Sequence, residues 1–277
     1  EEARDRISAA IKNSGFDSPK RKNHKIVISL APADIKKEGP HFDLAMALSF
    51  LLANDEIEFD PEGKLFLGEL SLDGKVRPVH GILPVARFAK EKGFKELYVP
   101  MENVREAAII DGVNVFGIST LSGLIEHLLG TKKIEKAKLT IVDKVKSVAS
   151  VDFSDIRGQE RAKRGLLIAA AGGHNAAMYG PPGTGKTMLA KAFTGILPSL
   201  SFEEALEVTS IHSVAGILSE TFITNPPFRA PHHTASYVSL VGGGSTPRPG
   251  EITLAHTGVL FMDEFPEFDR RVIESLR

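Results

Sequence analysis

Cysteine is absent from the 277 residues. That excludes disulfides and thiolate metal sites, and it suits a reducing compartment, so a cytoplasmic location is the expectation. No apolar run approaches the roughly 18 residues that a membrane-spanning helix needs, and no membrane partner is expected. An excess of charge is missing too: the formal net charge is −1. Residues 1–131 carry 17 basic and 20 acidic side chains, and residues 152–277 carry 11 and 13, so neither half is drawn to nucleic acid by its overall field. Only 132–151 is basic, with six Lys against Glu135 and Asp143, and such a run reads as a solvated linker before it reads as a DNA patch. There is no signal-peptide pattern and no initiating Met. The opening Glu1-Glu2-Ala3-Arg4-Asp5-Arg6-Ile7 has the style of mid-helix, which leads one to expect a piece of a longer protein.

The remaining composition, 42% hydrophobic and 25% charged, is that of a soluble chain long enough for two cores. The first half alternates strand and helix signals. Lys25–Ala31 predicts a strand, and Asp43–Asn54 a helix apolar nearly all round and therefore buried. Leu65–Leu72 and Lys75–Val79 flank Asp73-Gly74, a strong hairpin signal. Further on, helices are expected at Leu83–Lys92, Glu102–Ile110 and Ser122–Leu129, and strands at Glu96–Pro100 and Val113–Gly117, with Gly130 closing the last helix. This makes an α/β domain over 1–130, a Lys-rich linker over 131–151, and a second α/β domain over 152–277. In the second, Gln159–Ala171 and Met188–Ile196 are expected helices, Ala176–Tyr179 a short buried strand, and Asn225–Pro249 irregular.

Between the expected strand and the helix that follows lies Gly180-Pro181-Pro182-Gly183-Thr184-Gly185-Lys186-Thr187, which fits G-x-x-x-x-G-K-[ST]. Glycines let consecutive backbone N–H groups turn inward toward phosphate oxygens, and the following helix adds its positive end. Lys186 is expected to reach the β and γ phosphates as a catalytic cation, and Thr187 to ligate Mg²⁺. A P-loop needs an acidic partner on a neighbouring strand. Gly258-Val259-Leu260-Phe261-Met262-Asp263-Glu264 supplies it: Asp263 for the metal, Glu264 as general base toward water. The adjacent His232-His233 invites a metal reading, but loop hydrogen bonding is the commoner use of such a pair, and no Cys or third His lies at ligand spacing.

With those residues in place the chain resembles the magnesium-chelatase-like AAA+ ATPases, in their ComM/YifB branch. The likeness runs through Asp155-Ile156-Arg157-Gly158-Gln159-Glu160, Ala170–Asn175, Pro227-Phe228-Arg229-Ala230-Pro231-His232-His233-Thr234, and Pro247–Glu251 on to the Asp-Glu pair. It implies Mg–ATP as cofactor, held by Gly180 through Met188, with Ile156, Arg157 and Gly158 against the adenine. It also implies a hexameric ring and a pore-directed insertion at about 217–250, where Arg229, His232, His233 and Arg248 are the DNA-contact candidates. The first half resembles the Lon-protease-like (ribosomal S5 domain 2-like) domain through Gly68-Glu69-Leu70-Ser71-Leu72-Asp73-Gly74-Lys75-Val76. Where Lon carries its Ser/Lys dyad, this chain has His41, after Gly39-Pro40, and Val85. Without nucleophile and base no acyl-enzyme chemistry is expected, and that half reads as a structural or interaction domain. The lid, sensor strand and arginine finger of the family are expected beyond Arg277.

The resemblance therefore implies an ATPase that moves on DNA as a ring, in recombination or natural transformation, with ATP as its only small-molecule substrate. The alternative is a chelatase-type ATPase that remodels a partner enzyme for Mg²⁺ insertion into porphyrin.

Overall fold

A computed structural model describes residues 2–19, 26–28, 39–142, 151–244 and 247–276. The chain divides into two compact units, Glu1–Val142 and Asp143–Arg277.

In the first unit, helix α1 (Glu2–Asn13) lies on α2 (Asp43–Ala53). Ile7, Ala10 and Ile11 of α1 meet Leu44, Ala47, Leu48 and Leu51 of α2, all of them buried. Asp43, at the start of α2, is wholly buried and accepts Arg6 Nε–H at 2.7 Å and the Leu70 N–H at 3.2 Å. The strand expected at Lys25–Ala31 falls mostly outside the described residues. Ile26–Ile28, which are described, are exposed and carry no strand.

The expected arm Leu65–Leu72 is two strands, β1 (Lys64–Phe66) and β2 (Glu69–Leu70). Gly68 is the reason. Its φ is 154°, and a Cβ there would lie 2.5 Å from Val76 Cγ1. Its N–H goes to the His41 carbonyl and its own carbonyl takes the Leu44 N–H, so the chain leaves the first ladder to cross toward α2. β2 then pairs antiparallel with β3 (Val76–Arg77) around the expected Asp73-Gly74 turn.

α3 (Ile82–Glu91), β4 (Glu96–Pro100), α4 (Val104–Ala107), β5 (Asn114–Ile118) and α5 (Leu121–Leu128) follow in the expected order. The helix expected over Glu102–Ile110 is shorter, a 3₁₀ turn at Met101–Asn103 leading into the single turn α4. β1, β4 and β5 form a parallel sheet in the order β1-β4-β5. Its register sets Phe66, Tyr98 and Phe116 side by side, with stacked rings 4.8 and 5.0 Å apart. Aligned aromatic pairs of this kind add to what area burial alone contributes.

Past Gly130, the Lys-rich stretch is bonded to this unit as far as Thr140. Ile134 N–H donates to His127 Nδ1, Ala137 N–H to the Val115 carbonyl, and Thr140 N–H to the Ala108 carbonyl. Because Nδ1 accepts, the neutral His127 ring carries its proton on Nε2, which faces the Tyr98 hydroxyl at 3.5 Å; that hydroxyl donates in turn to Glu96. Burial pushes His127 below the usual imidazole range, against the pull of Glu96, and Lys133 pushes the same way as burial. A folded pKa lower than the unfolded one gives stability that is complete above the unfolded value of about 6.5 and is lost as pH falls through the folded value. The thermal midpoint of residues 1–142 is therefore expected to fall as pH drops from 7.5 to 5, and His127→Gln to flatten that dependence. A wild-type curve indifferent to pH over this range would show that His127 is not charged on unfolding.

The second unit begins with a 3₁₀ turn, Phe153–Asp155, closed by a reciprocal cap between Asp152 and Asp155. Helix α6 (Glu160–Gly172), helix α7 (Lys186–Phe193) and helix α8 (Phe202–Ala215) follow. α8 is headed by Ser201, whose Oγ accepts the Glu204 N–H while the Glu204 carboxylate accepts the Ser201 N–H. Beyond it come β6 (Phe228–Arg229), α9 (Tyr237–Val241), β7 (Gly242–Gly243), β8 (Arg248–Pro249), α10 (Glu251–Leu254), β9 (Val259–Leu260) and α11 (Arg270–Ser275). The segment expected to be irregular thus holds a strand, a short helix and a two-residue hairpin, β7 with β8. β6 and β9 pair in parallel, Phe228 opposite Val259 and Arg229 opposite Leu260.

One expected strand is absent. Ala176–Tyr179 belongs to no ladder among the described residues, and Ala176, Ala177 and Tyr179 are exposed. An apolar run becomes a strand only where another strand lies alongside to satisfy its backbone, and no ladder reaches this run among the described residues. Among the described residues no helix is long and apolar enough to cross a membrane.

Candidate functional site

The glycine-rich loop turns because two of its residues sit at positive φ, Gly183 at 80° and Gly185 at 83°. A Cβ added at either would meet nothing within 4 Å, so the loop borders open space that side chains would fill. Thr184 closes the curl, its hydroxyl donating to the Pro181 carbonyl at 2.9 Å. α7 starts at Lys186, with Gly185 as its left-handed cap residue and Leu189, Ala190 and Ala192 buried beneath it. Lys186 Nζ lies over the loop, donating to the carbonyls of Gly180 at 2.9 Å and Pro181 at 3.0 Å. A cleft of about 630 Å³ runs beside it, with Gln159, Leu166, Met178, Gly180, Thr184 and Lys186 in its lining.

The acidic partner arrives from 76 positions away: Thr187 Oγ1 donates to Asp263 Oδ2 at 3.2 Å. The other Asp263 oxygen accepts the Glu264 N–H at 3.0 Å. Glu264 itself sits in the left-handed region at φ 54° and ψ 44°, an uncommon place for a residue with a Cβ. Such backbone costs of order 1–3 kcal/mol and persists only where its surroundings hold it. Just before the turn, Met262 packs against a small core of Leu240, Phe268 and Val272, while Asp263 and Glu264 are exposed.

Ile156 is buried with Leu166, Leu189 and Ala192, so its side chain fastens the entry segment to α6 and α7. Lys163 Nζ donates to the Ile156 carbonyl. Arg157 and Gly158 are exposed, as is Met188 on α7. Two contacts had no sequence signal. Gln159, left-handed at φ 58°, reaches the Thr184 carbonyl through Nε2 at 3.2 Å and so ties α6 to the loop. His233 Nδ1 stands 3.1 Å from Glu264 Oε2.

The cations expected to face DNA are arranged otherwise. Arg229 forms a two-pronged pair with Glu251, Nε to Oε2 at 2.5 Å and Nη2 to Oε1 at 2.7 Å, which holds β6 to α10. That bond raises the Arg229 pKa further and commits the side chain to structure. His232 Nδ1 is taken by Thr234, and Arg248 is exposed in β8. Among the described residues no group of three or more His, Asp or Glu is placed to hold a metal ion. Arg229→Ala is expected to lower the stability of the second unit by about 1–2 kcal/mol, the range for a half-exposed charged hydrogen bond. Unchanged unfolding would show that the pair is incidental.

The comparisons with known proteins decide the family. Residues 152–277 match the family described as magnesium chelatase, subunit ChlI, and residues 1–103 match the family described as subunit ChlI of Mg-chelatase. The whole chain is 43% identical to competence protein ComM of Haemophilus influenzae and covers 54% of it. It is 45% identical to the uncharacterized protein YifB of Escherichia coli, of which it again covers 54%. The chain belongs to the magnesium-chelatase-like family, in its ComM/YifB branch. It spans about half the length of these curated relatives. A stretch of 100 residues, 35% of the chain, is 32% identical to Lon protease 2 of Bacillus subtilis, covering 18% of that enzyme.

At the two positions that the Lon resemblance makes decisive, His41 precedes α2 and Val85 lies within α3. A valine accepts no proton, so the position that the Lon resemblance assigns to the lysine supplies no base. A covalent probe for Ser/Lys proteases is expected to leave residues 1–142 unlabelled, and stoichiometric labelling would restore the protease reading.

Proposed function

We propose that residues 152–277 bind Mg–ATP and that the full-length protein hydrolyses it to drive a ring motor on DNA. The reading rests above all on the Thr187–Asp263 contact at 3.2 Å, which joins the end of the P-loop to the carboxylate pair across 76 positions. The donor set fits the ligand. The open glycine turn offers backbone N–H groups to phosphate, Lys186 supplies a fixed cation, and Thr187 with Asp263 presents hard oxygens of the kind Mg²⁺ takes. Bound there, Mg²⁺ neutralises charge that develops on the phosphate oxygens. Lys186 orients the β and γ phosphates. Glu264 takes the proton from the attacking water, and Ile156, Arg157 and Gly158 border the adenine. On this reading residues 1–130 form a Lon-like domain that serves assembly or interaction, 131–151 connect it, and 152–277 form an AAA+ nucleotide domain.

The DNA part draws on the likeness to the competence protein ComM and on the Lon-like first half. With Arg229 committed to Glu251, the remaining candidates in the 217–250 segment are Arg248 and the histidines, few per subunit but summed around a six-membered ring. The test is ATP turnover by the full-length protein alone and with single-stranded, duplex and branched DNA, together with DNA affinity across a salt series. Stimulation by DNA and affinity that falls steeply with salt support the motor. Turnover indifferent to every DNA moves the chelatase-type remodelling of a partner protein ahead.

A further inference from the structure

The Lys-rich stretch after Gly130 has the composition of a solvated linker, yet it is strapped to the first unit along its length. Thr131 and Lys132 donate their N–H groups to the Glu126 carbonyl at 3.0 and 3.2 Å. Ile134 N–H then meets His127 Nδ1 at 2.8 Å, Ala137 N–H the Val115 carbonyl at 2.8 Å, and Thr140 N–H the Ala108 carbonyl at 2.9 Å. The Thr140 hydroxyl adds a bond to the Arg105 carbonyl at 2.7 Å. Beyond Lys132 the anchors fall every third residue, at 134, 137 and 140, and Ile134 packs against the core of this unit. What lies between them faces out. Lys132, Lys133, Lys136 and Lys138 are exposed, and none of them pairs with a carboxylate among the described residues. Arg105, beside the last anchor, is exposed in the same way. Glu135 on the strap and Glu126 at its first anchor are the acids that oppose them.

We propose that this strap is a nucleic-acid contact, its four lysines and Arg105 meeting the phosphate backbone of DNA without regard to sequence. The proposal rests on the reading of the full-length protein as one that acts on DNA. The first unit is mildly acidic as a whole, but salt screens charges beyond about 8–10 Å, so a phosphate senses the local run and not the sum. Six positions separate Lys132 from Lys138, roughly 20 Å at full extension, which matches about six phosphates along one strand. An ammonium group is a point charge that meets phosphate and reads no base edge. The anchoring matters as much as the charge. A free linker gives up backbone freedom when it binds, whereas this strap has given it up on folding. No helix lies within the strap to set an apolar face into a lipid surface, which separates it from a basic membrane-binding segment despite the exposed Leu139 and Ile141.

The experiment measures the affinity of the full-length protein for duplex and branched DNA across a salt series, with thermal midpoints alongside. Three proteins are compared: wild type, the fourfold variant Lys132→Gln/Lys133→Gln/Lys136→Gln/Lys138→Gln, and Ala137→Pro, which keeps every lysine but cannot donate to Val115. The fourfold variant is expected to bind about tenfold or more weakly at about 0.1 M salt, and its slope of log K against log salt to fall in magnitude by about 3. Its midpoint is expected to match wild type, since all four side chains are exposed. Ala137→Pro is expected to lose about three- to tenfold in affinity while its slope stays within about 1 of wild type, because the same charges then sit on a loosened strap. Wild-type affinity and slope in the fourfold variant overturn the contact and leave the DNA reading to residues elsewhere. Wild-type affinity in Ala137→Pro overturns the role of the anchoring. If Ala137→Pro unfolds at the assay temperature, the fourfold variant decides alone. Wild-type protein that binds no DNA at low salt, or binds only vesicles rich in phosphatidylserine, sinks the DNA reading and the strap with it.

Discussion

Glu264→Gln in the full-length protein is expected to lower ATP turnover by about 10²–10⁴-fold, the span that a positioned general base contributes, while ATP and ADP bind as before. Glutamine keeps the length and shape of the side chain and can stand beside His233 as glutamate does. The turn also survives the change, because its strain lies in the backbone at φ 54° rather than in the carboxylate charge. Asp263 keeps both of its contacts, the Thr187 hydroxyl and the N–H of residue 264. What disappears is the capacity to take a proton from water. Nucleotide titration beside a steady-state phosphate-release assay separates the two effects. Turnover within tenfold of wild type would show that another group activates the water, and weakened ADP binding would show that Glu264 holds the loop instead.

The same region shows what a sequence reveals and what it hides. The P-loop was legible because its demands are local: positive φ at Gly183 and Gly185, a cation at Lys186 and a hydroxyl at Thr187, all within eight residues. The strand Glu96–Pro100 was legible too, since its apolar run sits in a sheet that covers it on both sides. Ala176–Tyr179 carries a similar run and forms no ladder, because pairing depends on a partner that no local pattern specifies. Gly68 broke an expected strand for a comparable reason: a contact with Val76, eight residues on, that alternation of side chains does not encode. α8 was overlooked although Ser201 and Glu204 stand at the spacing of a capping box, a signal that was there to read. The loop-bonding reading of the His pair holds for His232, which meets Thr234. Two adjacent histidines suggest a metal or a loop bond, and only the register of β6 against β9 shows that one of them faces Glu264. Arg229 looked like a free cation until Glu251, 22 residues later, closed on it.

Lys186→Ala is expected to weaken ATP and ADP binding by about 100-fold or more, the equivalent of roughly 3 kcal/mol for losing a charge-assisted contact to phosphate. The folded chain should tolerate the change. Alanine is the best helix former at the first position of α7, and the buried face of that helix is carried by Leu189, Ala190 and Ala192. The carbonyls of Gly180 and Pro181 lose the ammonium, but the loop faces open space, so water can take its place. Stability and affinity should therefore part company: a thermal midpoint close to wild type in the absence of nucleotide, and little upward shift when ADP is added. Thr187→Ala is the companion variant. It keeps Lys186 and the loop, and removes only the hydroxyl that meets Asp263. Its ADP binding without Mg²⁺ is expected to match wild type, and the gain on adding Mg²⁺ to shrink. Calorimetric titration of the three proteins with ADP, with and without Mg²⁺, reads both effects at once. Wild-type affinity in Lys186→Ala would mean that the backbone cradle suffices without the cation. Equal Mg²⁺ dependence in Thr187→Ala and wild type would mean that the metal is held somewhere other than between Thr187 and Asp263.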